Sequence, residues 1–525
     1  MQINGLSLIG SSTGVQGDSS FKAIDPSTAN EIEPPFFAAS ADETNRAADM
    51  AHNAFLHYSR KTGAERAAFL RAIADQIEAL GDTLTQRAMA ETGLPEARIQ
   101  GETGRTTGQL RLFAIVVEEG SWVEARIDTA IPDRQPLPKP DVRSMKRPMG
   151  PVAVFAASNF PLAFSVAGGD TASALAAGCP VIVKAHSSHP GTSELVGQAI
   201  LAAVKETGMP DGTFSLLHGS GRVVGSALVT HPSIKAVGFT GSTGGGTALM
   251  KLASSRPQPI PVYAEMGSVN PVFILPGAAA ANGAGLAIGL QVSATMGVGQ
   301  FCTNPGVVLV ETSDAGNELV SSFTEEMSKA PSAIMLNPSI HSAYTSGVAA
   351  RSDNEKVNTL VVNDDDGIGC PGVAAVFEVS ADTFLGDESL SEEIFGPETT
   401  LVRWKTKEDL MAVAEELEGQ LTATIHGTEA DLEEYADLVS ILERKVGRIV
   451  YNGFPTGVEV CSSMVHGGPF PATSDGRSTS VGTHAIERFV RLVAYQESPQ
   501  SLLPEELKDG NPSGIMRMVN GEYTR

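Results

Sequence analysis

The chain has 525 residues and a formal net charge of -24 at pH 7. That length exceeds what one hydrophobic core supports, so we expect at least two domains. The strong acidity excludes nucleic acid as a partner, because phosphate binding needs a basic face.

Cysteine usage and hydropathy indicate a cytoplasmic protein. The four cysteines are too dispersed for a disulfide framework or a C-x-x-C metal site, which favours a reducing compartment. The N-terminus has no signal-peptide pattern, and no uninterrupted apolar run reaches the ~18–20 residues needed to cross a bilayer. We therefore expect neither a membrane partner nor a bound metal.

Helices dominate the first part of the chain after a short hairpin. Residues 19–38 have the pattern of a hairpin with a turn at Asp25-Pro26-Ser27. Capping boxes at 40–43 and 62–65 predict two helix starts. A further helix is predicted over 96–119. Residues 131–150 are proline-rich and basic, which indicates an extended arm that serves as a linker or as an edge hairpin for subunit contact.

Apolar strands then alternate with helices. The predicted strands cover 150–157, 179–184, 213–218 and 234–240, and the predicted helices cover 162–177, 190–207 and 222–230. Strands that are apolar throughout and separated by helices indicate a parallel sheet covered on both faces. Such sheets bind ligands beyond the carboxyl ends of their strands.

A second α/β unit follows. Its predicted strands cover 262–266, 271–275, 306–311, 421–425 and 448–451, and its predicted helices cover 278–296, 315–330, 406–418 and 428–445. A last strand is predicted at 489–495, before a polar end.

One cysteine lies in a stretch suited to presenting a thiol. Residues 297–305 read Gly-Val-Gly-Gln-Phe-Cys-Thr-Asn-Pro. Glycine permits tight backbone turns and proline ends the local structure. A free cysteine is more often a small buried hydrophobe, and this window alone favours that interpretation for Cys302. Other segments of the chain, described below, favour instead a Cys302 thiol that is presented to a ligand.

Polar residues recur at the ends of the predicted strands. The glycine-rich turn Gly241–Gly246 enters a helix and suits a phosphate, although such turns are often only tight connections. Asn159 opens the first helix, as a cap or as a donor to an oxyanion. Lys184 ends the second strand, where it reaches a ribose or phosphate or extends to solvent. Glu265 and Glu393 are each either solvated or a general base in an apolar setting.

The full series of motifs resembles the aldehyde dehydrogenase superfamily over about residues 20 to 500. The matching segments, in order, are Asn159-Phe160-Pro161, Val183-Lys184, Phe239–Gly246, Glu265-Met266-Gly267, Gly299–Cys302 and Glu393–Pro397. Segments 104–111, 184–191 and 464–475 resemble a branch of that family that acts on 2-oxoglutarate semialdehyde or on fatty aldehydes.

The resemblance implies an α/β fold with three parts. A Rossmann-like parallel-sheet cofactor domain would comprise residues 1–130 and 151–262, and a second α/β catalytic domain residues 263–486. A small β oligomerisation element would combine the arm 131–150 with the tail 487–525. Members of this kind form homodimers or homotetramers.

The resemblance also implies the chemistry. Cys302 would attack the aldehyde carbon as a thiolate, with Asn159 and the Cys302 backbone N–H holding the oxyanion. Loss of hydride to the nicotinamide would give a thioester, which water activated by Glu265 would hydrolyse. The resemblance places the following residues at the cofactor: Lys184, Gly241, Ser242, Gly246, Glu393 and Phe395.

Two departures from the family pattern bear on function. Many NAD-using members have a glutamate at the position of Ser187, where a carboxylate would repel a 2′-phosphate. Arg222 opens the next helix and would pair with that phosphate, so we predict NADP as the preferred cofactor, with NAD possible. Met266-Gly267-Ser268 replaces the usual Leu-Gly-Gly, but Glu265 is kept.

Branch resemblance favours 2-oxoglutarate semialdehyde as the small-molecule aldehyde substrate, with Arg105 or Arg111 as a cationic anchor for its carboxylate. The alternative is a broad aliphatic or fatty-aldehyde dehydrogenase, with a tunnel lined by Phe160, Phe164 and Phe454. Two rivals are an acylating enzyme that transfers the thioester to coenzyme A and a protein that keeps only the fold. Glu265 argues against the first, and the joint presence of Cys302, Asn159 and Glu265 against the second.

Overall fold

The first sheet of the computed structural model, which describes residues 2–365 and 367–525, has seven strands. Five are parallel, and two short N-terminal strands extend one edge in antiparallel fashion. In spatial order they are Val262–Glu265, Ala236–Thr240, Val152–Phe155, Val181–Lys184, Phe214–Leu217, Leu8–Ile9 and Ser12–Thr13.

Helices cover both faces of this sheet, as the apolar strands predict. Alternate residues of one strand enter different cores: Val152 and Val154 pack into one hydrophobic cluster and Ala153 into another on the opposite face. The helices are Ala41–Tyr58, Gly63–Glu78, Asp82–Thr92, Glu96–Glu119, Gly169–Ala177, Pro190–Glu206, Ser226–Thr230 and Thr243–Ser254. Both predicted capping boxes, Ser40 with Glu43 and Thr62 with Glu65, are confirmed.

The order of the strands creates a crevice. Strand Val152–Phe155 pairs with Val181–Lys184 on one side and with Ala236–Thr240 on the other. From Val152–Phe155 the chain continues to its neighbour on one side, Val181–Lys184, and later returns to its neighbour on the other side, Ala236–Thr240. The direction in which strands are added to the sheet therefore reverses at Val152–Phe155. Ligands bind at such a reversal in open parallel sheets, beyond the carboxyl ends of the strands.

The second sheet also has seven strands, and all but its first edge strand are parallel. In spatial order they are Asn358–Val362, Ala375–Ser380, Glu398–Trp404, Val307–Glu311, Val272–Ile274, Gln420–His426 and Val446–Tyr451. The helices around it are Pro276–Thr295, Asp314–Ser328, Pro338–Ser352, Ala381–Leu385, Lys407–Glu416, Glu429–Glu434 and Ala436–Lys445. The turn that carries Cys302 connects Pro276–Thr295 to Val307–Glu311.

A third, five-stranded sheet joins segments that are distant in sequence. Its order is Val490–Gln496, Val142–Pro148, Arg126–Asp128, Arg517–Val519 and Glu522–Thr524. The predicted arm thus contributes a strand, which pairs with the tail strand along its whole length. The predicted hairpin is confirmed as Ser20–Ile24 and Glu31–Phe37, and Ala333–Ile334 pairs with Pro371–Gly372 in a further small sheet. Within residues 2–365 and 367–525, no helix combines the length and apolarity needed to cross a membrane.

Three sequence predictions need correction. Strand Val262–Glu265 belongs to the first sheet and not to the second unit, because it pairs with Ala236–Thr240. The helix predicted over 162–177 begins only at Gly169, since the preceding loop folds back and Ala157 N–H donates to the Phe164 carbonyl at 2.9 Å. The helix predicted over 428–445 is split at Tyr435.

Several elements had no counterpart in the sequence predictions. Among them are the helices Asp82–Thr92 and Pro338–Ser352, the three strands Asn358–Val362, Ala375–Ser380 and Glu398–Trp404, and the strands Arg517–Val519 and Glu522–Thr524. The α/β class is confirmed, and the division into three functional domains stays a prediction.

Candidate active site and cofactor crevice

Cys302 follows a turn of left-handed residues. Gly297, Val298 and Gly299 have φ values of 59°, 59° and 64°, a region that glycine adopts readily and valine rarely. A Cβ added to Gly299 would lie 2.1 Å from the carbonyl oxygen of Gly396, so no larger residue fits without displacing backbone. This turn leaves Cys302 only partly buried, at the wall of a cavity, and not packed in a core.

His466 connects Cys302 to Glu265. Its Nε2 lies 3.1 Å from Cys302 Sγ, and its Nδ1 lies 2.5 Å from Glu265 Oε2. His466 and Glu265 are both buried. The backbone N–H of His466 donates to Thr479 Oγ1 at 2.9 Å, which fixes the loop that carries the ring. A thiol, an imidazole and a carboxylate are therefore in continuous hydrogen-bond contact.

The charge of His466 follows from its two partners. Burial alone lowers the pKa of the imidazole, but the negative charges of Glu265 and Cys302 and the hydrogen bonds to them outweigh burial and raise the pKa to about 10. The raised pKa favours the imidazolium form, in which both ring nitrogens donate, one to Cys302 and one to Glu265. The ring nitrogen that faces Cys302 is thus a charge-assisted donor next to the sulfur, and the thiolate is the nucleophilic form of a cysteine.

Asn159 lies beside the cysteine turn on the loop that leaves Val152–Phe155. Its Nδ2 donates to the Gln300 carbonyl at 3.2 Å. An amide nitrogen carries two N–H groups, so one remains for a ligand. Buried Glu102 fixes the same loop, because its Oε1 accepts the backbone N–H groups of Leu162 at 2.8 Å and Ala163 at 3.0 Å.

A cavity of about 610 Å³ opens at the crevice of the first sheet and reaches the cysteine. It brings together eight residues that sequence reasoning singled out: Asn159, Lys184, Gly241, Ser242, Glu265, Cys302, Glu393 and Phe395. These residues come from both α/β units. The cavity therefore joins the nucleophile to the ligand-binding end of the parallel sheet.

The residues of this crevice fit a dinucleotide. Lys184 is buried, and its ammonium has no hydrogen bond or ion pair within the described residues, so an anionic or hydroxyl-rich ligand would satisfy it. Desolvation lowers the pKa of Lys184 to about 8. Ser242 caps the helix Thr243–Ser254, whose N-terminus suits a pyrophosphate. Glu393 is exposed at the wall of the cavity, and desolvation by the surrounding protein raises the pKa of its carboxyl.

Three residues predicted at the cofactor do not line the cavity. Ser187 and Arg222 are exposed, each next to a lining residue, His186 and Gly221 respectively. Gly246 is buried on the face of its helix that packs on the sheet, where an added Cβ would lie 2.4 Å from Met266 Sδ. Its role in this structure is close packing of helix on sheet.

An aromatic cluster lies near the cysteine and in contact with His466. The ring centroids of Phe160 and Phe164 are 5.1 Å apart, and those of Phe160 and Phe301 are 5.2 Å apart. Phe164 also contacts the His466 ring at 5.9 Å. Arg105 places its guanidinium 5.2 Å from the centroid of Phe164. Phe160, Phe164 and Arg105 are thus gathered near the nucleophile, and their role at a substrate stays a prediction.

Two residues predicted at the substrate lie elsewhere. Arg111 is on the outer side of its helix, where it forms ion pairs of 2.7 Å with Asp75 and 2.5 Å with Glu78. Phe454 is partly buried; it packs on the His426 ring at 4.9 Å and on Gly289, against a core of the second unit. The chain spacing gave no information on which way either side chain points.

The structure adds residues that the sequence predictions missed. His466 lies in segment 464–475, which carried part of the resemblance, but no local pattern assigned it a role. His186 follows Lys184 at the carboxyl end of its strand, and that position was a usable signal. Ser339, Ile340 and Ala343 line the cavity from the helix Pro338–Ser352, which was not predicted.

Comparison with known proteins gives consistent matches. A sequence model described as the aldehyde dehydrogenase family matches residues 14–492. An alpha-ketoglutaric semialdehyde dehydrogenase 2 of Azospirillum brasilense is 52% identical over 523 residues, covering 99% of this chain and 100% of that protein. An alpha-ketoglutaric semialdehyde dehydrogenase of Acinetobacter baylyi is 49% identical over 506 residues, covering 96% of each chain.

A solved structure shows the same fold. Betaine aldehyde dehydrogenase from Staphylococcus aureus, crystallised in complex with NAD+, superposes with a TM-score of 0.80 at 20% identity and covers 94% of this chain and 96% of its own.

Proposed function

The chain belongs to the aldehyde dehydrogenase family, and we propose that it oxidises 2-oxoglutarate semialdehyde to 2-oxoglutarate with NADP as its preferred cofactor. The observation that carries the chemistry is the contact of His466 with both Cys302 Sγ and Glu265 at the wall of the crevice. The substrate is supported by two relatives that are named for this semialdehyde and align over almost the entire chain.

In the first half of the proposed reaction, the Cys302 thiolate forms a bond to the aldehyde carbon and the carbonyl oxygen becomes an oxyanion. The free N–H of Asn159 is placed to donate to that oxygen. The imidazolium of His466 stabilises the thiolate before attack. A bound nicotinamide cofactor supplies the acceptor for the hydride that leaves the carbon, which converts the adduct on Cys302 to a thioester.

In the second half, water attacks the thioester and Glu265 accepts its proton, which releases the carboxylate and the Cys302 sulfur. His466 orients the Glu265 carboxylate through its Nδ1–H. Because the same ring contacts the leaving sulfur, His466 serves both halves.

The preference for NADP rests on two exposed residues at the edge of the crevice. Ser187 brings no negative charge next to His186, and Arg222 follows the lining residue Gly221. Within the described residues, the Arg222 guanidinium has no acidic partner that would compete for a phosphate. Lys184, Ser242, Glu393 and Phe395 would hold the remainder of the cofactor.

An aldehyde panel with both cofactors tests the proposal. We expect kcat/KM to be highest for 2-oxoglutarate semialdehyde with NADP and the product to be the free acid with or without coenzyme A. Higher kcat/KM for hexanal would favour the fatty-aldehyde alternative. Equal use of NAD and NADP by the wild type would refute the cofactor preference.

Arg222→Ala should raise the KM for NADP and leave that for NAD unchanged, because only NADP carries the 2′-phosphate. Arg60→Ala, at another exposed arginine, is the matched control. An equal effect of Arg222→Ala on both cofactors would contradict a phosphate contact.

We also propose a cytoplasmic homodimer or homotetramer assembled through the third sheet. All four cysteines are free, which suits a reducing compartment. The tail strand Val490–Gln496 forms one edge of that sheet, so its outer backbone groups are open to pairing with a strand of a second copy. The same strand exposes Leu492, which adds apolar surface for such a contact. Sedimentation of the wild type and of Leu492→Lys tests the assembly.

A further inference from the structure

We propose that Arg105 binds the distal carboxylate of the substrate and thereby selects carboxylate-bearing aldehydes over neutral aliphatic ones. This inference rests on the proposed function and assigns a specificity residue to the same site. It concerns the aromatic cluster of Phe160, Phe164 and Phe301, which does not line the cofactor crevice.

Arg105 is positioned by the helix Glu96–Glu119 and by two aromatic rings. Its guanidinium carbon lies 5.7 Å from the centroid of Phe160 and 5.2 Å from that of Phe164. The second of these rings contacts His466, which in turn contacts Cys302. The cation is near enough to the sulfur for an electrostatic interaction with it. A substrate bonded to Cys302 would therefore extend toward this guanidinium.

The guanidinium has donors to offer. Arg105 Nε and Nη2 are buried and have no hydrogen-bond partner within residues 2–365 and 367–525. Buried donors of a charged group are expensive to leave unsatisfied. Nε and one Nη of an arginine form a fork that matches the two oxygens of a carboxylate. A substrate carboxylate would satisfy both donors at once.

Neighbouring arginines are already engaged. Arg98 lies on the same face of the helix, but it forms an ion pair of 3.4 Å with Glu102 and stacks on Phe160 and Phe301. Arg448, also close to Cys302, donates to the backbone carbonyl groups of Pro455 and Gly457. Of the three arginines Arg98, Arg105 and Arg448, Arg105 is thus the one whose Nε and Nη2 are both buried and without a hydrogen-bond partner among the described residues.

The test is a comparison of substrates in two variants. Arg105→Met should lower kcat/KM for 2-oxoglutarate semialdehyde roughly 10- to 150-fold, the range expected for loss of a charged hydrogen-bond pair. The value for hexanal should fall far less, because hexanal has no carboxylate. Arg105→Lys keeps the charge without the fork and should give an intermediate loss.

Arg111→Met is the matched control, since it removes the same charge from the same helix at an ion-paired surface position. It should leave the ratio of the two kcat/KM values as in the wild type. Equal losses of Arg105→Met on both aldehydes, or no loss on either, would overturn the assignment.

A binding measurement separates this inference from the proposed function. Glutarate, a dicarboxylate of matching length, should bind the Cys302→Ala variant by calorimetry, and the double variant Cys302→Ala/Arg105→Met should bind it at least tenfold more weakly. If the wild type does not oxidise the semialdehyde, the proposed function fails, and glutarate binding still decides the role of Arg105. If the semialdehyde is oxidised but both variants bind glutarate equally, only the role of Arg105 fails.

Discussion

His466 Nδ1 lies 2.5 Å from Glu265 Oε2, although the two residues come from a late loop and from the last parallel strand of the first sheet. The other nitrogen of the same ring contacts Cys302 Sγ. One side chain therefore bridges the nucleophile and the base. The negative charges of Glu265 and Cys302 raise the pKa of His466, which favours the positively charged form of this bridge.

His466→Asn should slow alkylation of Cys302 by iodoacetamide at pH 7 roughly tenfold or more, because the thiolate loses a charged hydrogen-bond donor. Mass spectrometry of the Cys302 peptide measures the rate separately from that of Cys461. His484→Asn, at an exposed histidine paired with Glu487, is the control and should alkylate as the wild type does. An unchanged rate in His466→Asn would show that the ring does not support the thiolate.

Glu265→Gln should separate the two halves of the reaction. Steady-state turnover should fall roughly 10²- to 10⁴-fold, as expected for loss of a general base. A burst of NADPH of about one equivalent per subunit should remain, because the thioester still forms on Cys302. Stopped-flow absorbance measures both phases. Glu392→Gln, at an exposed neighbour of Glu393, should leave both unchanged. A lost burst in Glu265→Gln would place the carboxylate in the first half instead.

Lys184 makes cofactor binding depend on pH. Its pKa in the free protein is lowered to about 8, so its positive charge is present below that pH and is lost as pH rises through it. The dissociation constant for NADP should therefore increase above about pH 8. NADPH fluorescence titration measures it. Lys184→Met should bind weakly at all pH values, with no inflection near 8, whereas Lys251→Met, at an exposed lysine, should keep the wild-type profile. A pH-independent wild type would contradict the assignment.

Gly299→Ala should disrupt the cysteine turn. The new Cβ would meet the Gly396 carbonyl oxygen at 2.1 Å, and φ of 64° is itself unfavourable for alanine. We expect a loss of more than about 1 kcal/mol from backbone strain alone, together with loss of activity. Gly283→Ala, whose nearest neighbour atom lies at 3.7 Å in a helix, should unfold no earlier than the wild type. Thermal unfolding and activity of the two variants make the comparison, and normal behaviour of Gly299→Ala would refute the steric argument.

The series of motifs along the chain predicted residues that line the cavity, although the window around Cys302 alone favours a small buried residue. Cys302, Asn159, Lys184 and Glu265 each end a strand or open a turn, and all four face one cavity. Prediction failed where the role depends on a side chain's direction. Phe454 and Arg111 have plausible residue types, but Phe454 packs against a core and Arg111 forms ion pairs at the surface. The functional division into three domains was inferred and is not decided by the sheets alone.

By itself, the sequence determined the local elements: capping boxes that start helices, apolar strands that must be covered on both faces, and a tight glycine-containing turn before Cys302. These follow from interactions within a few residues along the chain. Only the tertiary structure decided that His466 meets Cys302 and Glu265, and that the Arg105 fork lies unpaired beside Phe164. The physical reason is that such contacts join segments separated by long stretches of chain, and their proximity is set by the order in which the strands assemble into sheets.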